Sequence, residues 1–182
     1  MIVRHDQAGE LATPDRIARA WEVLATVLDP EVPALSVRDL GIVRAVTLPD
    51  AGTELEIVLT PTYSGCPATE VIEQDVLDAI GAAGLGPARV RLQRAPAWTS
   101  DWISDDGRRK LREYGIAPPG PAPRDGAVPL RFMRRNPVAA RVACPRCASD
   151  DTERLAAFGS TACKALYRCR ACREPFEHFK PI

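Results

Sequence analysis

Histidine is scarce, and its scarcity removes most routes to catalysis. The 182 residues hold two, His5 and His178, at opposite ends of the chain. A cysteine–histidine nucleophile pair would have to be assembled across that distance. There is no Walker loop, no Gly-x-Gly-x-x-Gly and no His-Glu-x-x-His, so the nucleotide and zinc-protease chemistries built on them are not expected. No run approaches the roughly 18 apolar residues of a membrane span. Met1 to Glu10 contain no apolar stretch, so no secretion signal is expected and a cytoplasmic location is. Net charge is also absent, with 24 Lys/Arg against 24 Asp/Glu, but the balance hides a split. Residues 1–133 carry 14 basic against 19 acidic side chains, and residues 134–182 carry 10 against 5. The basic tail is either simply solvated or attracted to an acidic partner, the body included.

What is present is cysteine in a spaced pattern. Cys144-Pro-Arg-Cys147 and Cys169-Arg-Ala-Cys172 are two Cys-x-x-Cys pairs, the ligand set of a structural tetrahedral zinc. The segment is too short to fold on apolar burial alone, and a bound ion supplies what the core lacks. Iron suits the same four sulfurs. Without a secretion signal, the six cysteines read as ligands and thiols, not disulfides. Cys163, in Gly159-Ser160-Thr161-Ala162-Cys163-Lys164, is a spare: a small apolar filler, or a thiol favoured as its anion by Lys164.

Thr13-Pro14-Asp15 reads as a helix start, with Thr13 as N-cap. Ile17, Trp21, Leu24 and Leu28 form its apolar face, and Asp29-Pro30 ends it. Asp29-Pro30-Glu31-Val32-Pro33 is a stiff acidic loop. Residues 42–48 and 54–60 read as an antiparallel hairpin across Pro49-Asp50-Ala51-Gly52. Pro67 opens a second helix that buries Ile72, Val76, Ala79, Ile80 and Ala83. Residues 88–92 read as a third strand. Residues 98–114 hold a third helix capped by Ser100 or Ser104, with Trp102, Leu111 and Tyr114 as packing residues. Residues 117–129 contain five prolines and two glycines and read as a semi-extended linker. Arg131-Phe132-Met133-Arg134-Arg135 follows as a basic segment able to dock on the body. Ribbon strands are expected at 153–158, 165–168 and 175–179. The expected class is α+β: a small mixed sheet with packed helices, in the order α-β-β-α-β-α, plus a C-terminal zinc ribbon. The expected division is body 13–116, linker 117–142 and ribbon 143–182.

Cys66 precedes Pro67, which places it near the amino end of the second helix. There the helix dipole and free amides favour a thiolate able to ligate soft metals. Burial as a small residue under the helix end is the equal alternative. Asp29, Glu31 and Asp39 are candidate metal-facing carboxylates, though loop acids are usually solvated. His178 reads as a surface residue rather than a fifth ligand.

Three blocks resemble a known family. Asp29-Pro30-Glu31-Val32-Pro33, Ser36-Val37-Arg38-Asp39-Leu40-Gly41-Ile42-Val43 and Thr60-Pro61-Thr62-Tyr63-Ser64-Gly65-Cys66-Pro67-Ala68 resemble the small domain of SufT-type iron–sulfur maturation factors. With the ribbon, the chain resembles the D subunits of the phenylacetyl-CoA epoxidase (ring-1,2-epoxidase) systems of bacterial phenylacetate degradation. The resemblance implies a non-enzymatic accessory factor with Cys66 as iron or iron–sulfur ligand. It implies the epoxidase oxygenase and reductase subunits and the iron–sulfur assembly machinery as partners, and a transient iron or cluster cargo beside structural zinc. One thiolate cannot complete a four-sulfur cluster site, so a shared cluster needs a homodimer, Cys163 or a client's cysteines. A structural subunit and a nucleic-acid-binding ribbon are the alternative readings, the latter short of free aromatic stacking residues.

Overall fold

Helical and alternating apolar periodicities put three helices and three strands before residue 116, and the chain builds them in that order. The computed structural model describes residues 13–49, 52–63, 65–122 and 141–182. The terminus with His5, the basic segment 131–135 and the side chain of Thr13, the expected cap, lie outside what is described. Among the described residues, no helix is long and apolar enough to cross a membrane.

Helix α1 (Thr13–Leu24) buries Ala20 and Leu24 fully and Ile17 and Trp21 partly. It stops a turn before the expected point. The Thr26 N–H and hydroxyl both donate to the Val23 carbonyl, at 2.9 and 2.7 Å, and turn the chain out of the helix. Leu28 therefore leaves the apolar face, bridges Ser36 and is 49% exposed. In the acidic loop that follows, Asp29 Oδ1 accepts the N–H groups of Glu31 (2.9 Å) and Val32 (2.7 Å), a local turn lock typical of Asp.

Strand β1 (Val43–Thr47) pairs antiparallel with β2 (Leu55–Leu59), Val46 opposite Ile57. Strand β3 (Ala88–Leu92) pairs parallel with β2, Ile57 opposite Val90, so the body sheet is mixed with β2 at its centre. A parallel neighbour needs a crossover. Helix α2 (Thr69–Ala82) supplies it and buries Ile72, Val76 and Ile80. Ala83, expected on that face, is an exposed C-cap. Ser104, not Ser100, caps α3 (Asp105–Tyr114), its hydroxyl accepting the Gly107 N–H at 2.9 Å. Ser100 instead begins a separate short 3-10 turn, Ser100–Trp102. Leu111 is fully buried, while Tyr114, expected to pack, is 56% exposed at the last position of α3. Trp102 packs beneath the Arg44 guanidinium, 3.6 Å from the ring centre.

Strand β4 (Ile116–Ala117) ends this part of the chain but pairs parallel with β7 (Pro175–Phe179). Strands β5 (Thr152–Ala156) and β6 (Lys164–Cys169) complete a four-stranded sheet of order β4-β7-β6-β5. Ala117 is thus buried in a strand shared by both parts, not extended linker. The ribbon also reaches into the body: Cys163 and Phe179 belong to the body's hydrophobic cluster, and the Phe179 ring lies 6.0 Å from that of Trp98. A second, smaller cluster holds Val142, Ala165, Tyr167 and Phe176 around two metal-knuckle cysteines. His178 is a core residue rather than a surface one, set edge-on to Tyr167 with ring centres 5.4 Å apart. Burial pushes its pKa down to about 4, so the imidazole is neutral near pH 7.

Candidate functional site

The two knuckle turns bring Cys144, Cys147, Cys169 and Cys172 together, with all four sulfurs within 4.8 Å of one another. Cys144 and Cys172 sulfurs lie 3.8 Å apart, and Cys147 and Cys169 sulfurs 3.6 Å apart. Sulfurs about 2.3 Å from a central zinc sit roughly 3.8 Å from each other, so this donor set fits one tetrahedral ion. The Cys172 N–H points at Cys169 Sγ at 3.5 Å and helps hold that thiol down at about 7. Four sulfurs leave no open coordination position, which makes this a structural centre.

The second site lies where β2 runs into α2. Cys66 is partly exposed and lines a small pocket with Asp29, Ile42, Leu59, Thr62 and Thr69. Its position differs from that expected. Helix α2 begins at Thr69, and Ala68 occupies the N-cap with no side-chain cap. Cys66 sits one tight turn ahead: its carbonyl accepts the Thr69 N–H at 3.2 Å, and its N–H donates to the Tyr63 carbonyl at 3.3 Å. Proline lacks an N–H and tolerates this turn as readily as a first helical position. The thiol therefore lies on the approach to the helix and is not entombed beneath it. Thr60, just ahead of the loop, has the one buried side-chain oxygen without a hydrogen-bond partner among the described residues.

Asp29 is 6% exposed, and burial raises its pKa against the pull of two backbone N–H donors. Burial and the Asp29 charge raise that of Glu31 as well. Asp39 has a different task and does not line the pocket. Its Oδ2 accepts the Ser36 N–H (3.0 Å), the Ser36 hydroxyl (2.8 Å) and the Lys110 ammonium (2.8 Å). Burial pushes its carboxyl up, but Lys110 and Ser36 outweigh it and hold the group below its ordinary range. Asp39 thus pins the 36–41 turn to α3.

Tyr63 stands out only in the folded chain, although it lies within the 60–68 block. Burial first, and then neighbouring Cys66 and Glu31, push its hydroxyl up to about 12, so it remains a neutral donor beside the thiol. Asp29 and Cys66 are distant in sequence, and only the fold shows that they share a wall.

This pairing of a thiol loop with a metal ribbon has relatives. The profile of the family described as iron–sulfur cluster assembly protein matches residues 17–91, and that of the PaaD zinc beta ribbon domain matches residues 132–180. Over 169 residues, 93% of this chain and 95% of its relative, the sequence is 47% identical to a protein of Escherichia coli (strain K12) named as the D subunit of 1,2-phenylacetyl-CoA epoxidase. The chain belongs to the phenylacetyl-CoA epoxidase D-subunit family. The body fold of this D-subunit homologue also matches the solved domain of unknown function DUF59 from Bacillus anthracis. The TM-score is 0.50 at 24% identity, covering 54% of this chain and 93% of that one. The knuckle sulfurs lie in the D-subunit ribbon match and Cys66 in the iron–sulfur assembly match.

Proposed function

We propose that this protein is a non-enzymatic maturation factor. It holds iron or an iron–sulfur fragment at Cys66 and hands it to a metal-bearing component of a phenylacetyl-CoA epoxidase. The observation that carries the reading is the partly exposed Cys66 thiol in a pocket with a buried carboxylate, Asp29. A thiolate with an incomplete ligand set binds a soft metal labilely, which favours transfer over storage. Among the described residues, two candidate acid–base groups are committed elsewhere: His178 is buried and neutral, and Asp39 is bound up structurally. The oxygenase and reductase subunits and the iron–sulfur assembly machinery are the proposed partners. Zinc in the ribbon is the proposed resident ion, and the body at 13–116 the cargo-holding part. A nucleic-acid role finds little support, because Tyr167, Phe176 and Phe179 are spent in cores and Phe158 is the ribbon aromatic left exposed. Cys66→Ser is expected to fold and retain zinc but to leave a reconstituted epoxidase without activity. Full activity with that variant would rule the role out.

A further inference from the structure

Among the described residues, four strands stand at sheet edges: β1 and β3 in the body sheet, β4 and β5 in the ribbon sheet. A free edge invites a further strand, and native proteins blunt theirs by shortness, charge or bulges. Strand β4 is two residues long, and β1 and β5 are each broken by a register shift, at 43–45 and at 154–156. Strand β3 is neither short nor broken. Its five residues run in continuous parallel register with β2, from Ala88 opposite Leu55 to Leu92 opposite Leu59.

The hydrogen bonds at its two ends fix which way its backbone groups point. The Leu55 N–H donates to the Pro87 carbonyl at 2.9 Å, and the Gln93 N–H donates to the Leu59 carbonyl at 2.8 Å. Residues 87 and 93 therefore turn toward β2, and so do Arg89 and Arg91 between them. Alternation sends the N–H and carbonyl groups of Ala88, Val90 and Leu92 the other way, to the outer edge. No strand pairs with β3 on that side among the described residues. Leu92, the last of this row, is also a wall of the Cys66 pocket.

Side chains decide what the edge accepts. Ala88, Val90 and Leu92 pack partly buried on the core, and Arg89 and Arg91 are exposed on the opposite face. The two arginines share Glu56, at 2.9 and 3.2 Å, and Arg89 also reaches Glu54 at 3.1 Å. Arg94 is exposed just past the strand, so three arginines stand against two glutamates along this edge. Antiparallel self-pairing centred on β3 would set Arg89 against Arg91, or one arginine against its own copy. Like charges directly opposite destabilise a sheet, which disfavours a second copy of this chain here. An incoming strand with carboxylates on that face meets the guanidinium groups from their open side. Its alternate apolar side chains extend the face that carries Val90 and Leu92.

We propose that the outer edge of β3 takes up an extended acidic segment of a client protein as a fourth strand of the body sheet. Main-chain bonds to Val90 and Leu92 supply the attachment, and carboxylates beside Arg89 and Arg91 the selection. One end of the segment then lies at Leu92, which brings the adjoining residues of the client to the Cys66 pocket. That consequence rests on the reading of Cys66 as the cargo-holding thiol; the docking edge itself does not.

The test is residue-resolved amide exchange, by NMR, on the full-length, zinc-loaded protein. The probe is a capped heptapeptide alternating valine and glutamate, at about 1 mM, with its valine–lysine counterpart as control. The glutamate peptide is expected to slow exchange at Val90 and Leu92 and to leave Arg89 and Arg91, already bonded to β2, little changed. The lysine peptide should bind at least about tenfold more weakly. Val90→Pro removes an outward N–H while keeping the pairing with β2, and it should weaken the glutamate peptide at least about tenfold. Because Val90 is partly buried, the double variant Arg89→Glu, Arg91→Glu is carried as well, and it should reverse the preference between the two peptides. Cys66→Ser should bind the glutamate peptide as wild type does, so failure of the docking edge and failure of the Cys66 reading register separately. No slowing at Val90 and Leu92, equal binding of the two peptides, or unchanged binding by a folded Val90→Pro would overturn the proposal. So would slowing that follows protein concentration alone, which would place a second copy on the edge.

Discussion

Among the described residues, two that are not glycine sit in the left-handed region, Ala148 at φ 59° and Arg173 at φ 65°. Each directly follows the second cysteine of a knuckle, where the chain must curl back so that both sulfurs face one ion. A side chain there costs about 1–2 kcal/mol, part of which glycine returns as unfolded-state entropy. Ala148→Gly is expected to raise the stability of the zinc-loaded protein by about 0.5–1 kcal/mol. Thermal melts with zinc in excess check this, and a lower melting temperature contradicts it. His178 gives a second prediction at this scale. Burial moves its pKa from 6.5 to about 4, so between those values the unfolded chain takes up a proton that the folded chain refuses. Stability therefore falls as pH drops through that window, by up to about 1.4 kcal/mol per unit from this group. His178→Phe should flatten the fall between pH 6.5 and about 4 in denaturant melts at saturating zinc. An unchanged slope would mean that another group sets it.

At the scale of elements, the 36–41 turn does more than connect α1 to β1. Asp39 clasps Ser36 and Lys110, the Trp98 indole N–H donates to the Leu40 carbonyl at 2.9 Å, and Gly41 closes the turn at φ +67°. A methyl group on Gly41 would stand 2.5 Å from the Trp102 carbonyl oxygen and 2.8 Å from its Cβ. Backbone strain and collision add, so Gly41→Ala is expected to cost about 2–4 kcal/mol. Equilibrium unfolding measures it, and a cost under about 1 kcal/mol would show that the turn yields. Such turns are only partly legible in the sequence. Strands β3 and β7 are readable at their true bounds because Pro87 sets the start of one and Pro175 that of the other, with apolar residues alternating in β3 and aromatic ones present in β7, and the knuckles because their chemistry is local. Leu28 reads as helical because apolar spacing continues past the residue where the Thr26 hydroxyl ends the helix. Pro67 reads as the start of α2 because proline suits the turn before a helix as well as its first turn. His178 and β4 depend on tertiary partners that no local pattern announces. The Cys66 loop is visible as a motif, but its pocket neighbour Asp29 comes from a distant segment.

At the scale of the molecule, body and ribbon share structure instead of merely sharing a chain. Strand β4 leaves the body to pair with β7, Phe179 and Cys163 fill the body's cluster, and the Ser100 N–H donates to the Ile182 carbonyl at 3.0 Å. A knuckle ion that folds the ribbon therefore also stabilises surfaces of the body far from it, since ion binding is folding free energy for the segment it organises. Stripping the metal with a chelator under reducing conditions should accelerate amide exchange in β2 and around Trp98, not only in β5 and β6. Phe179→Ala should reproduce much of that effect with zinc still bound, at a cost of about 3–5 kcal/mol for a large buried aromatic side chain. Two independently stable parts would behave otherwise: chelation would melt the ribbon and leave β2 protected, and Phe179→Ala would show a body transition at an unchanged temperature. The shared strand and shared cluster argue for one cooperative transition, in which an ion in the ribbon also sets how firmly Cys163 and Phe179 are held in the body's cluster.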